Sequence, residues 1–171
     1  MKEKELRLAI AYFGGVSLAI YQHGINREIL NLIRASKLYH RDRRDEGSGG
    51  SSFRKFYPEE PEESTGDVYL HFLEMVGQFI SLRVIVDVIA GSSAGGINGL
   101  LLAASLESGA EFKETSRLWR NQGDLGALMR PLSECDAPES LLSGEVYQNE
   151  LIAAFRQVVE PHPTGRIEPG E

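Results

Sequence analysis

The sequence is poor in cysteine and has no long apolar run. Its one cysteine among 171 residues, Cys135, excludes an internal disulfide and a cysteine-rich zinc site. The flanking Glu134 and Asp136 disfavour a thiolate, so we expect this thiol to be unreactive. No stretch of about 18 apolar residues is present, and the sequence therefore predicts no transmembrane helix. We also expect neither a metal ion nor another cofactor.

Positive charge is scarce as well. The chain has 18 Lys and Arg against 25 Asp and Glu, a net charge of −7. No basic stripe is available to neutralise phosphates, which argues against a nucleic-acid partner. The apolar fraction of 42% is ordinary for a globular protein, and the length suits one domain with a sizeable core.

The segment from Leu8 to Tyr21 is apolar enough to imitate the core of a signal peptide. However, Glu3 and Glu5 dilute the basic start, Gly14-Gly15 interrupts the run, and no A-x-A cleavage site follows. A buried first strand is the better interpretation, and a cytoplasmic location follows from it.

The motif Gly91-Ser92-Ser93-Ala94-Gly95-Gly96 organises the sequence. A run of strand character, 84–90, precedes it, and an apolar run of helix length, 97–106, follows it. Strand, G-x-S-x-G and helix together predict a nucleophile elbow, with the Ser93 hydroxyl projecting from a tight turn. The alternative is an ordinary turn of small residues between two core elements.

Small residues around Ser93 suit this interpretation. Gly91 and Gly95 let the strand and the helix approach each other closely. The helix N-terminus favours developing negative charge, and the N–H of Ala94 is a candidate oxyanion donor. The turn Gly14-Gly15, after the first predicted strand, could supply further donors; alternatively, it is only a sharp exit from that strand.

The apolar pattern predicts strand, helix, helix, strand and helix before residue 110. The predicted bounds are Leu6–Phe13, part of Ser17–Leu38, Val68–Phe79, Leu82–Ala90 and Ile97–Leu106, the last capped by Gly109. Two strands joined by a helical crossover predict a parallel, right-handed unit. In the first helix we expect Ile25, Ile29, Leu32 and Ile33 to face inward and Asn26, Arg27 and Arg34 to face outward. We expect the helix after the motif to be buried all round.

Residues 41–66 have low hydrophobicity and mixed charge, so the sequence predicts a flexible insertion without regular structure. A lid or membrane-touching loop anchored by Phe53, Phe56 and Tyr57 is the functional alternative to a solvated loop. Further helices are predicted over Glu111–Arg120, Pro138–Leu142 and a segment capped by Ser143. Residues 161–171 are predicted to form a loose tail.

A serine nucleophile needs a base, and the histidines are badly placed to supply one. Only His162 follows Ser93, and it lies between two prolines in the predicted tail. His23, His40 and His71 precede the motif. A Ser-His-Asp triad therefore fits this sequence poorly.

The elbow motif with its flanking Val86–Ala90 and Ile97-Asn98-Gly99 resembles the patatin-like phospholipase family. The segment Gly14–Ala19 resembles the glycine-rich oxyanion loop of that family. The segments around Trp119 and Ser140–Glu145 look like the large bacterial members. The resemblance covers about Leu6 to Phe155, without the insertion.

The resemblance implies a three-layer α/β/α fold with a mainly parallel sheet, of which residues 1–160 form the N-terminal part. It implies hydrolysis of lipid acyl esters by a Ser-Asp dyad, with Ser93 as nucleophile and Gly14, Gly15 and Ala94 at the oxyanion. The basic residue that usually follows the glycines is absent near Ser17. No Asp-Gly dipeptide occurs, so we expect the dyad aspartate to lie beyond Glu171.

The substrate implied by the resemblance is a lipid or another acyl ester. The resemblance is also compatible with peripheral contact between the protein and a membrane. The alternatives are a non-catalytic lipid-binding or interaction module of the same fold, and another serine esterase completed by residues outside this chain.

Overall fold

The structure, a computed structural model, describes residues 2–44, 52–58, 64–109, 115–116, 119 and 143–159. The elements in chain order are β1 (Lys2–Tyr12), α1 (Val16–Arg44), α2 (Phe53–Phe56), α3 (Gly66–Val76), β2 (Ile80–Gly91), α4 (Ala94–Ser108) and α5 (Gly144–Val159). The fold is mixed α/β, as expected of a patatin-like α/β/α protein. Most of the predicted helix 111–120, the predicted helix 138–142 and the tail 161–171 lie outside the described residues.

Strands β1 and β2 pair in parallel from Lys2 opposite Ile80 to Tyr12 opposite Gly91, so the predicted parallel pair is confirmed. A register shift after Leu8 leaves Asp87 without an opposite residue, which is a β-bulge. Among the described residues no third strand pairs with either of them. Most residues of β1 are exposed, which is more than its apolar sequence predicts.

Helix α1 buries Ile33 and packs Ile29 against the core, as predicted, but three other side chains lie on the opposite side from the predicted one. Ile25 is 54% exposed, whereas Asn26 and Arg34 are buried. The Tyr12 hydroxyl donates a hydrogen bond to Asn26 Oδ1, and Arg34 Nη2 donates to the Gly109 carbonyl at 3.2 Å. These partners offset the cost of removing polar groups from water, so the inward face of α1 is partly polar.

The expected absence of regular structure over 41–66 is wrong for two parts of that segment. Helix α1 continues through Arg44, and α2 forms a further turn. Phe53 and Tyr57 are buried against α1 and α3, and Asp67 Oδ1 accepts the Phe53 N–H at 2.9 Å. The aromatic side chains supply the apolar surface that holds this turn in place. The predicted mobility of the segment stays a prediction.

Helix α4 ends as the sequence predicts, at Gly109 with φ 70°. Its burial is one-sided: Leu101 and Leu102 are buried, whereas Leu100 is 62% exposed. The buried side contacts α1, β2 and α5. Ser143 precedes α5, and its Oγ accepts the N–H of the helix's third residue at 3.4 Å, as expected of an N-cap.

Candidate active site

Ser93 lies at the turn between β2 and α4 and is exposed. Its backbone has φ 53° and ψ −130°, and among the described residues no other residue except glycine has positive φ. A side chain in such a conformation costs about 1–3 kcal/mol, so the surrounding structure must impose it. Hydrogen bonds on both sides do so: Ser92 N–H donates to the Tyr12 carbonyl at 3.2 Å, and Ile97 N–H donates to the Ser93 carbonyl at 3.2 Å.

The two glycines of the motif allow this turn because neither position has room for a Cβ atom. A Cβ at Gly91 would lie 2.5 Å from the Gly95 carbonyl oxygen. A Cβ at Gly95 would lie 2.8 Å from the carbonyl oxygen of Phe13. Strand, turn and helix therefore contact one another through backbone atoms, as an elbow requires.

The structure brings the turn Gly14-Gly15 beside Ser93. A Cβ at Gly14 would lie 3.0 Å from Ser93 Cβ and 3.0 Å from the Ser92 carbonyl oxygen. Gly15 has φ 135°, a conformation that only glycine adopts readily. Two segments about 80 positions apart in the sequence thus meet where β1 and β2 end.

This meeting point is rich in unused backbone donors. Within the described part of the chain, the N–H groups of Gly14, Gly15 and Ala94 donate no hydrogen bond to another backbone group. Ala94 is also the first residue of α4, where the helix dipole adds partial positive charge. Such donors could bind the negative oxygen of a tetrahedral intermediate.

The surface beside the glycine turn is apolar and uncharged. No charged residue occurs between Arg7 and Arg27. Phe13, Val16 and Tyr21 are 78%, 61% and 73% exposed. An apolar substrate reaching Ser93 from this side would meet no charge on this stretch of chain.

Beneath the turn lies a group of buried amides that the sequence did not reveal. Asn98 Nδ2 donates to Gln22 Oε1 at 3.3 Å, and Asn26 Nδ2 donates to the Asn98 carbonyl at 2.9 Å. Burial also raises the pKa of the neighbouring Tyr12 hydroxyl to about 12. The available signal was the placement of Gln22 and Asn26 four residues apart, which puts them on the same face of a helix.

No base accompanies Ser93 among the described residues, where its hydroxyl has no hydrogen bond to a histidine or carboxylate. His23 is buried with Nδ1 3.5 Å from Thr115 Oγ1, and His40 Nε2 lies 3.1 Å from the Leu82 carbonyl oxygen. His162 lies outside the described residues. The described residues also contain no group of three His, Cys, Asp or Glu side chains suited to a metal ion.

Fold and site together define an α/β protein with a serine on a sharp strand-to-helix turn. The family model for patatin-like phospholipases matches residues 66–164, more than half of the chain. The chain belongs to the patatin-like phospholipase family. The match includes the elbow, whereas the turn Gly14-Gly15 precedes it.

A second comparison extends over almost the whole chain. An uncharacterized membrane protein of Mycobacterium tuberculosis is 31% identical over 166 residues, which are 97% of this chain and 14% of that protein. The chain thus spans about one seventh of the length of this relative. No solved structure matches significantly. None of the helices among the described residues has an apolar stretch of membrane-spanning length.

Proposed function

We propose that this chain carries the nucleophile and the oxyanion donors of a serine-dependent lipid acyl hydrolase. The observation that carries the proposal is the backbone of Ser93, which is held at φ 53° beside Gly14 and exposed to solvent. Strain of this kind persists where surrounding contacts enforce it, and it is concentrated at functional sites. The family gives the reaction class, and the geometry supports the assignment of residues.

In the proposed reaction a base takes the proton of the Ser93 hydroxyl, and Oγ attacks the ester carbonyl carbon. The carbonyl π electrons move to oxygen, and the N–H groups of Gly14, Gly15 and Ala94 stabilise the negative charge. Collapse of this intermediate expels the alcohol, which takes up a proton, and leaves an acyl-Ser93 ester. Water then attacks the acyl group, and release of the carboxylic acid restores the serine.

We assign the base to a carboxylate outside residues 1–171. The sequence has no Asp-Gly dipeptide, and Ser93 has no hydrogen-bonded base among the described residues. Oxyanion donors and substrate binding alone can leave residual acceleration, so the 171-residue chain should retain weak activity.

A covalent probe tests the nucleophile. A fluorophosphonate ester should modify the protein at Ser93, and mass spectrometry of the digested adduct locates the site. Ser93→Ala should abolish the labelling, whereas the matched control Ser92→Ala, one residue away on the same turn, should retain it. Labelling at Ser92, or undiminished labelling of Ser93→Ala, would contradict the assignment.

Extension of the chain tests the base. A longer chain that reaches the next Asp-Gly motif should hydrolyse p-nitrophenyl esters orders of magnitude faster than residues 1–171, and substitution of that aspartate by asparagine should remove the gain. Equal rates would place the base within the 171 residues and make His23 and Asp124 the first residues to substitute.

The lipid nature of the substrate is supported by the apolar surface beside the glycine turn. Phe13, Val16 and Tyr21 could receive an acyl chain or contact a membrane surface peripherally. Sedimentation with phosphatidylcholine vesicles measures this contact. Tyr21→Ser should weaken it, whereas Met75→Ser, which changes an exposed side chain of α3, should not.

A further inference from the structure

We propose that Gln22 is a positioning residue that aims the Gly14 N–H at the oxyanion. The inference rests on the proposed function, because it concerns a donor of the proposed oxyanion hole. Gln22 lies on α1, is 8% exposed, and donates from Nε2 to the Phe13 carbonyl oxygen at 2.6 Å. It does not touch the reacting atoms.

The Phe13 carbonyl and the Gly14 N–H belong to the same planar peptide unit. In a trans peptide these two groups point in opposite directions. A hydrogen bond that fixes the carbonyl therefore also fixes the direction of the N–H. Glycine at positions 14 and 15 offers little resistance to rotation of that plane, so the amide of Gln22 supplies a constraint that the backbone lacks.

Gln22 is itself held in place by α4, the helix that follows Ser93. Asn98 is fully buried in α4, five residues after Ser93, and its Nδ2 donates both to Gln22 Oε1 at 3.3 Å and to the Ala19 carbonyl at 3.1 Å. The helix that begins at the nucleophile thus holds the side chain that orients the glycine turn. Nucleophile and donor are tied into one hydrogen-bonded unit.

The Phe13 carbonyl has a backbone neighbour on the elbow as well. A Cβ at Gly95 would lie 2.8 Å from this carbonyl oxygen, so the Gly95 backbone packs directly against it. This contact leaves the Phe13–Gly14 peptide little room to move toward α4. Without the bond from Gln22, we expect the plane to turn away from the elbow and to carry the Gly14 N–H out of line.

The test compares Gln22→Met with the matched control Asn31→Leu. Each removes a buried amide from α1, but Asn31 donates to Thr65 Oγ1 at 3.2 Å near α3, away from the elbow. We measure p-nitrophenyl butyrate hydrolysis by the full-length protein, thermal unfolding, and the amide NMR resonance of Gly14. Gln22→Met should lower kcat by about 10- to 100-fold with KM changed less than about threefold, since misaligned donors act mainly on the transition state. It should also shift the Gly14 resonance.

Asn31→Leu should lower the unfolding temperature by a similar amount and leave kcat, KM and the Gly14 resonance unchanged. If Gln22→Met does not fold, Gln22→Leu also removes the amide donor with a different side-chain shape and should show the same fall in kcat. Wild-type kcat in a folded Gln22 variant, or an equal loss in Asn31→Leu, would overturn the positioning role alone. Full turnover by Ser93→Ala would overturn the proposed function, and the positioning role with it.

Discussion

Asp87 occupies the bulge of β2, and its carboxylate accepts a hydrogen bond from Arg7 Nη1 of β1 at 3.1 Å. Arg7 also bonds Glu5 Oε2 at 2.7 Å, so the three side chains form an exposed charged group on the sheet. Asp87 precedes Ser93 by six positions and is therefore a candidate base by proximity in sequence. The four strand steps from Asp87 to Gly91 alone span about 13 Å, however, which puts this carboxylate out of reach of Ser93.

We therefore predict that Asp87→Asn leaves esterase activity unchanged within about twofold and produces no measurable shift in thermal unfolding, because exposed ion pairs contribute little. Steady-state kinetics and a melting curve check both points. Loss of activity in a folded Asp87→Asn variant would restore this residue as a candidate acid or base.

Gly14→Ala should reduce turnover without unfolding the protein. The added Cβ would lie 3.0 Å from both Ser93 Cβ and the Ser92 carbonyl oxygen, so the glycine turn or the Ser93 turn must give way by a few tenths of an ångström. Since a misplacement of about 1 Å can cost about 100-fold in rate, we expect this smaller shift to lower kcat by up to about tenfold. The measurement is kcat for an activated ester.

Gly24→Ala is the matched control for that substitution. Gly24 lies in α1, and nothing lies within 4 Å of the position of its Cβ. Alanine in place of glycine within a helix should raise stability by about 0.5–1 kcal/mol and leave turnover unchanged. Equal activity of Gly14→Ala and Gly24→Ala would show that the turn Gly14-Gly15 does not take part in the active site.

The elbow could be predicted from the sequence because its geometry depends on residue types at fixed positions. Gly91 and Gly95 are required by backbone atoms that leave no space for a Cβ, and Gly109 is required by positive φ. Such requirements are local, so they can be recognised before the fold is known. The parallel strand pair was predictable for a similar reason, since both strands are apolar runs separated by helical sequence.

The polar interior of α1 could not be predicted in the same way. Asn26 and Arg34 are polar side chains of the kind that usually face water. Only their partners in β1, in α4 and at Gly109 make burial favourable. Those partners are distant in sequence. Helix α2 was not predicted because the segment 41–66 is polar on average. That average hides the local apolar cluster of Phe53, Phe56 and Tyr57, which packs against the rest of the fold.

Phe53 should contribute to stability as a core residue does. Its side chain is fully buried between α1 and α3, and the Tyr57 ring lies 4.7 Å away between centroids. Phe53→Ala should cost about 3–5 kcal/mol, measured by urea unfolding. Phe79→Ala, which truncates a side chain that is 78% exposed, should change stability by less than about 0.5 kcal/mol. A small effect at Phe53 would support the flexible loop that composition predicts.

The strained turn predicts a difference in stability between two substitutions of Ser93. Ser93→Ala keeps a Cβ at φ 53°, whereas Ser93→Gly does not. Ser93→Gly should therefore be more stable than Ser93→Ala by about 1 kcal/mol. Glycine relieves the backbone strain of the folded state, and the greater conformational entropy that it gives the unfolded chain offsets part of this gain. Urea unfolding of both variants tests this without any assumption about chemistry. Equal stabilities would mean that the turn is unstrained at Ser93.

Tyr12 should make the stability of the protein depend on alkaline pH. Its hydroxyl donates a hydrogen bond to Asn26, and burial raises its pKa from 10.0 to about 12. The folded state therefore holds the phenol proton where the unfolded chain has lost it. The stabilisation is complete below pH 10 and declines as the pH rises from 10 toward about 12.

Tyr12→Phe removes that dependence and also the hydrogen bond. The variant should be less stable than the wild type at about pH 8 by about 1 kcal/mol, and the gap should narrow by about pH 11.5. Tyr69, whose pKa is raised by burial and then by its bond to Glu28, is present in both proteins and cancels in the difference. Urea unfolding at the two pH values gives the gap directly. A constant difference in stability would show that the Tyr12 phenol has the same pKa in the folded and unfolded states. Its hydroxyl would then not be buried as the structure describes.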